Sequence, residues 1–326
     1  MTQSRQDVAI LIPGRLHAHA VKRLGAGFEV VSLDRGDPEL VTPELTARVR
    51  GIAAQAPINA AFIDALPNLE IIASFGVGYD AVDAVHAARR NVMVTNTPDV
   101  LTEEVADTAI GLLLNTVREF SRAESWLRAG RWPVEGAYPL TRTTLRGRQV
   151  GIFGMGRIGL AIARRLDAFG VPVSYHNRSE VKDVGYAWHK TLLGLAQSVD
   201  TLISVAPGGA ATEKAVGREV LEALGPDGVF VNIGRGSTVD EAALAAALKD
   251  GTIRAAGLDV FRNEPHVPDA LLALGNATLL PHVGSASVHT REAMADLVVD
   301  NIEAWFGAGR PLTPVPECAS VTAPKK

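Results

Sequence analysis

A single cysteine, Cys318, stands among 326 residues, which leaves no partner for an internal disulfide and no multi-cysteine metal site. Positive charge is not in surplus either. The formal net charge is −4, so nothing draws the chain generally to nucleic acid or to an anionic membrane. The basic run Arg146-Gly147-Arg148 is too short to act as a patch. No apolar run reaches the ~20 residues of a membrane-crossing helix, and the polar start, Met1 to Asp7, lacks the apolar core of a secretory signal. A reducing cytoplasm is the expected compartment. No short repeat or low-complexity array is present. What remains is ordinary soluble composition, 47% apolar and 21% charged, over a length that predicts two domains.

The most informative stretch is Val150 to Gly159. A short apolar run ending at Phe153 is followed by Gly154, Gly156 and Gly159, and then by helical spacing from Arg157 to Phe169, stopped by Gly170 and Pro172. In a strand, glycine turn and helix of this kind the first glycine makes the turn, the second admits a pyrophosphate to the backbone and the third lets helix and strand pack. Free amides at the helix start receive the phosphate charge. The next strand, Val171 to His176, ends in Asn177-Arg178-Ser179, where an NAD-using protein carries an acid about 20 residues past the glycines. Arg178 can pair with a 2′-phosphate and Ser179 can add a hydroxyl. NADPH is therefore the expected cofactor, with NADH as the alternative.

The N-terminal third reads as βαβ units. Strands are expected at Val8 to Ile12, Phe28 to Leu33, Leu69 to Ser74 and Val92 to Thr95. Helices are expected at Leu16 to Leu24, Pro43 to Ile52, Ala60 to Leu66 and Ala81 to Arg90. Gly76-Val77-Gly78 follows a strand's carboxyl end, where its amides could hold a carboxylate, and a plain strand-to-helix turn reads equally well from this stretch alone. Thr102 opens an apolar helix to about Phe120, and Trp126 and Trp132 read as packing or subunit-contact residues. Further on, strands at Thr201 to Val205, Phe230 to Ile233, Ala255 to Val260 and Thr278 to Leu280 alternate with helices at Leu192 to Ser198, Arg218 to Leu224 and Asp240 to Asp250. A long helix, Val288 to Phe306, is expected to return to the first domain. The Pro-rich stretch Pro311 to Lys326 is expected to be partly disordered. The resulting expectation is an α/β protein of two Rossmann-like, doubly wound domains with parallel sheets and a cleft between them. Residues 1–97 with 287–326 would form a discontinuous substrate domain and 98–286 the dinucleotide-binding domain.

Three polar residues follow successive strand ends in the second half: Arg235, Glu264 and His282. Taken singly, an arginine between glycines is usually a solvated turn residue, a glutamate before proline a loop acid and a histidine after proline a structural hydrogen bonder. Together they supply what hydride transfer to a 2-oxo acid requires, namely a cation for the carboxylate and carbonyl, a proton donor and a group that keeps the donor protonated. His282, with a reference pKa of about 6.5, is the candidate donor. Glu264 would favour its imidazolium, and Arg235 can bind a carboxylate in bidentate fashion.

The chain resembles the D-2-hydroxyacid dehydrogenases, most closely their NADPH-preferring glyoxylate/hydroxypyruvate reductase branch. The resemblance rests on Leu66 to Glu70, Phe75 to Asp80, Thr102 to Thr108, the Gly154 loop, Asn232 to Gly236, Gly257 to Phe261, Asn263-Glu264-Pro265 and Pro281 to Ser285. It implies Arg235, Glu264 and His282 as the catalytic set, with the amides of Val77 and Gly78 on the substrate carboxylate. It also implies Met155, Gly156, Arg157 and Ile158 on the pyrophosphate, Asn177, Arg178 and Ser179 on the ribose phosphate, and Ile233 and Asp259 on the nicotinamide side. It further implies a homodimer formed largely through the cofactor domains and two hinges; Trp132 is the candidate for a residue that borders the partner's active site, and no metal is expected. Val205 stands near where many relatives carry a histidine beside the adenine. The expected reaction is NADPH-dependent reduction of glyoxylate or hydroxypyruvate to the D-2-hydroxy acid. A bulkier 2-oxo acid such as phenylpyruvate is one competing substrate, and a dinucleotide-sensing binding protein is a competing class. Formate dehydrogenase is disfavoured, because it pairs its histidine with glutamine where Glu264 stands here.

Overall fold

The computed structural model describes residues 8–324, so the reading of Met1 to Asp7 lies outside the described residues. The chain forms two compact units, one running to Leu101 and resuming at Ala286, the other Thr102–Ser285. The first junction follows Asn96 and Thr97 because their amides donate to Thr313 O (3.3 Å) and Gly76 O (2.8 Å), which ties both residues into the first unit.

In the first unit, β1 (Ala9–Pro13), β2 (Glu29–Leu33), β3 (Val49–Ala54), β4 (Ile71–Ser74) and β5 (Met93–Thr95) form one sheet in the order β2-β1-β3-β4-β5. All of its pairs are parallel. The connections are α1 (Ala18–Gly27), α2 (Pro43–Arg48), α3 (Ala60–Asp64) and α4 (Ala84–Arg89). Ile52, Ile71, Ile72 and Phe62 are fully buried in its core. The expected helix Pro43 to Ile52 is corrected here: α2 ends at Arg48, and Val49–Ala54 is a buried strand. Parallel strands covered on both faces read as continuous apolar runs without alternation, and no glycine or proline separates this one from the preceding helix.

The long helix Val288–Ala308 belongs to this unit and buries Trp305, whose Nε1 donates to Glu70 Oε2 at 3.2 Å. The expectation of partial disorder beyond Pro311 is corrected over 311–324. Val315, Cys318 and Val321 are buried, Val315 N donates to Val94 O at 3.0 Å, and Val94 N donates to Cys318 Sγ at 3.3 Å. Three apolar anchors outweigh the proline-rich composition.

The second unit opens with α5 (Thr102–Arg118), α6 (Phe120–Arg128) and α7 (Trp132–Glu135). Its strands are β6 (Val150–Phe153), β7 (Val173–His176), β8 (Ala187–His189), β9 (Thr201–Ser204), β10 (Val229–Asn232), β11 (Ala255–Leu258) and β12 (Ala277–Leu279). They form a parallel sheet in the order β12-β11-β10-β9-β6-β7-β8. The order reverses between β6 and β9, and ligands bind at such switch points outside the strands' carboxyl ends. The helix α8 (Arg157–Ala168) follows β6. The short edge strand β8 was not foreseen from the sequence; three residues in an edge position carry too little pattern to be read. Among the described residues no helix is long and apolar enough to cross a membrane.

Candidate active site

The glycine loop after β6 is shaped by close approach. Gly154 has φ +108°, and a Cβ there would lie 2.8 Å from Ala206 N. At Gly159 a Cβ would meet Gly154 O at 2.2 Å, so only glycine lets α8 sit this close to the loop. At Gly156, by contrast, a Cβ would have nothing within 4 Å. The middle glycine thus faces open space at the start of α8, whose first turn carries no acid and whose N-cap Gly156 supplies no side-chain bond. Its leading amides point outward with the positive end of the helix dipole, an environment suited to a dinucleotide pyrophosphate. Met155 itself is buried, and its amide donates to Asn177 Oδ1 at 2.7 Å.

At the end of β7, Asn177 is engaged by the loop through that bond, while Arg178 and Ser179 are exposed. Neither of those two side chains forms a hydrogen bond or ion pair among the described residues.

The strand ends β10, β11 and β12 bring Arg235, Glu264 and His282 into one group within the second unit. Gly236 permits it: a Cβ there would fall 1.9 Å from the carbonyl carbon of Phe261, so only glycine admits the 261–264 loop beside Arg235. The Arg235 carbonyl accepts from Asn232 Nδ2 (2.9 Å) and Thr238 Oγ1 (2.7 Å), which fixes the backbone from which its side chain departs. Glu264 Oε1 accepts from Phe261 N at 2.9 Å, and Oε2 lies 2.7 Å from His282 Nδ1. Burial pushes the Glu264 carboxyl up, but the bonds from His282 and the Phe261 amide, with the nearby Arg235 charge, hold it below the ordinary carboxylate range. An ionised Glu264 therefore accepts Nδ1–H and leaves Nε2 as the atom that can pass a proton on.

Asp259 builds the histidine loop, a role sequence reading did not assign. It is buried, its carbonyl accepts from His282 N at 2.8 Å, and its two carboxylate oxygens accept from Val283 N (2.7 Å) and Gly284 N (2.8 Å). Burial raises its carboxyl above the usual value despite those amides. His282 adopts φ 53°, in the left-handed region where a non-glycine residue is held only by such surroundings. Ile233, at the end of β10, is buried at 7% exposure.

In the first unit, the Gly76–Tyr79 loop follows β4. Its Val77 carbonyl accepts from Asn96 Nδ2 at 2.8 Å, and Gly76 O accepts from Thr97 N at 2.8 Å. The amides of Val77 and Gly78 donate to no acceptor among the described residues. Trp132, at the start of α7, is 59% exposed.

A glycine-cradled helix start on a doubly wound parallel sheet defines the class of dinucleotide-binding α/β proteins. Residues 110–284 match the D-isomer specific 2-hydroxyacid dehydrogenase, NAD binding domain. An NADPH-dependent glyoxylate/hydroxypyruvate reductase from Sinorhizobium meliloti, solved in complex with NADP and malonate, is 58% identical. It aligns with a TM-score of 0.95 over 98% of this chain and 99% of its own. A glyoxylate/hydroxypyruvate reductase A of Arabidopsis thaliana and a hydroxyphenylpyruvate reductase of Plectranthus scutellarioides are each 49% identical over 80% of this chain and 83% of theirs. The chain belongs to the D-2-hydroxyacid dehydrogenase family of NAD(P)-dependent oxidoreductases.

Proposed function

We propose that this chain reduces a small 2-oxo acid, glyoxylate or hydroxypyruvate, to the D-2-hydroxy acid with NADPH, using His282 as proton donor. The observation that carries the reading is the Glu264–His282 pair, 2.7 Å at Nδ1, grouped with Arg235 and leaving Nε2 without a hydrogen bond among the described residues. Bound NADPH supplies the hydride. His282 Nε2 delivers the proton that the carbonyl oxygen takes up as it becomes a hydroxyl, and Glu264 holds the imidazole through Nδ1. The Arg235 guanidinium binds the carboxylate and polarises the carbonyl. The amides of Val77 and Gly78, which donate to no acceptor among the described residues, receive the substrate carboxylate, which gives the first unit the substrate role and the second the dinucleotide role. The Gly154 loop, with Met155, Gly156, Arg157 and Ile158, carries the pyrophosphate, and Ile233 and Asp259 border the nicotinamide. We place the protein in a reducing cytoplasm.

Arg178 and Ser179 set the cofactor preference, since both are exposed at the β7 end and form no side-chain hydrogen bond among the described residues. In Arg178→Ala, kcat/KM for NADPH is expected to fall about 10- to 100-fold, the worth of one or two charge-assisted hydrogen bonds, with the NADH value unchanged. The test is initial rates with NADPH and NADH against glyoxylate, hydroxypyruvate and phenylpyruvate. Rapid NADPH oxidation with the two small acids supports the reading, and a clear NADH preference removes the role given to Arg178. A second substrate reading, a bulkier arylpyruvate, is favoured by the hydroxyphenylpyruvate reductase relative, which is as similar as the Arabidopsis enzyme. Faster turnover of phenylpyruvate than of glyoxylate would select it.

The second unit also exposes Phe120, Leu127, Trp132, Val134 and Leu140, the last at 95%. Five large apolar side chains within one stretch need covering, and we assign a second copy of the chain to them. Sedimentation of the parent at twice the chain mass, and of Val134→Asp with Leu140→Asp at the single-chain mass, is the expected result.

A further inference from the structure

An exposed arginine recognises a phosphate well only when the backbone beneath it is already placed, because otherwise binding must pay for ordering the loop. The turn that carries Arg178 and Ser179 is held at both ends. On its upstream side, Asn177 Oδ1 accepts from Met155 N at 2.7 Å, and the Asn177 carbonyl accepts from Trp188 Nε1 at 3.1 Å. On its downstream side the hydroxyl of Tyr175 accepts from Val181 N at 2.9 Å and donates to Val181 O at 3.3 Å. Tyr175 is fully buried. Tyr175 and Trp188 are also register partners in the β7–β8 ladder. The residues between Asn177 and Val181 are thus bridged back onto strands, while the side chains of Arg178 and Ser179 stay free.

We propose that Tyr175 and Trp188 are positioning residues for cofactor discrimination, clamping the 177–181 turn so that Arg178 and Ser179 meet the 2′-phosphate of the adenosine ribose. Neither residue touches the phosphate; both act through the turn. The inference rests on the NADPH reading above and adds the source of its preorganisation. The edge strand β8 thereby acquires a recognition role through the indole N–H of Trp188.

The test is calorimetric binding of 2′,5′-ADP and 5′-AMP to the full-length protein, with no substrate and no turnover. Parent protein is expected to bind 2′,5′-ADP more tightly than 5′-AMP. Tyr175→Phe and Trp188→Phe each keep the ring and remove the hydrogen bond. In each, the ratio of the two affinities should fall about fivefold or more, the worth of roughly one hydrogen bond, with 5′-AMP affinity unchanged. A merely structural role would lower the melting temperature and leave the ratio as it was. Should both variants keep the parental ratio while Arg178→Ala loses it, the positioning role is overturned and the Arg178 reading stands. Equal binding of the two nucleotides by the parent would overturn both. If Tyr175→Phe fails to melt cooperatively, Trp188→Phe, which removes one partly exposed N–H, decides the matter.

Discussion

Replacing His282 by alanine is expected to lower kcat for 2-oxo acid reduction by about 10²- to 10⁴-fold, the usual contribution of a positioned proton donor, with NADPH affinity nearly unchanged. The separation of effects follows from the geometry. Among the described residues the His282 side chain is engaged through Nδ1 with Glu264 and through no other hydrogen bond. Its backbone, by contrast, is held by Asp259, which also holds the amides of Val283 and Gly284. Truncating the imidazole therefore leaves the loop in place. Steady-state rates and NADPH titration by fluorescence check the outcome. A parent that binds NADPH but turns over none of the three acids would instead favour the dinucleotide-sensing protein, and a His282→Ala variant with near-parental kcat would remove His282 from the mechanism.

Arg235→Gln is expected to produce the second large loss, about 10²- to 10³-fold in kcat/KM, comparable to removing a preorganised donor from a developing oxyanion. Lysine should rescue little, because a point charge does not reproduce the planar guanidinium fork. The carbonyl of residue 235 remains anchored by Asn232 and Thr238, so the loss reports the side chain rather than a collapsed turn. The informative readout is kcat/KM for glyoxylate beside the melting temperature. A drop in both, with parental kcat recovered at low temperature, would assign Arg235 a structural role instead.

Much of the site was legible because it consists of local signals. Gly154, Gly156 and Gly159 carry a steric requirement that is visible in spacing alone, and the structure shows the physical reason in the 2.2 Å separation between a Cβ at Gly159 and Gly154 O. Arg235, Glu264 and His282 were legible as polar residues just past apolar runs. The strand β3 was not, since Val49–Ala54 follows α2 without a breaker, and its identity depends on pairing with β1 and β4. The stretch after Pro311 was misread for a related reason: composition reported its prolines, whereas burial of Val315, Cys318 and Val321 depends on a surface supplied by distant residues.

By itself the sequence determined the class of fold, the glycine loop, the absence of an acid at the end of β7 and the three polar residues that follow strand ends. These are properties of short windows, where backbone sterics and period decide the outcome. Tertiary structure decided which partners those residues have. Asn177, read as a cofactor contact, has its side-chain oxygen on Met155 N, and Asp259, read the same way, spends both carboxylate oxygens on the loop that carries His282. Hydrogen bonds of this kind join positions some twenty residues apart, and only the packing of one strand end against the next brings donor and acceptor within reach.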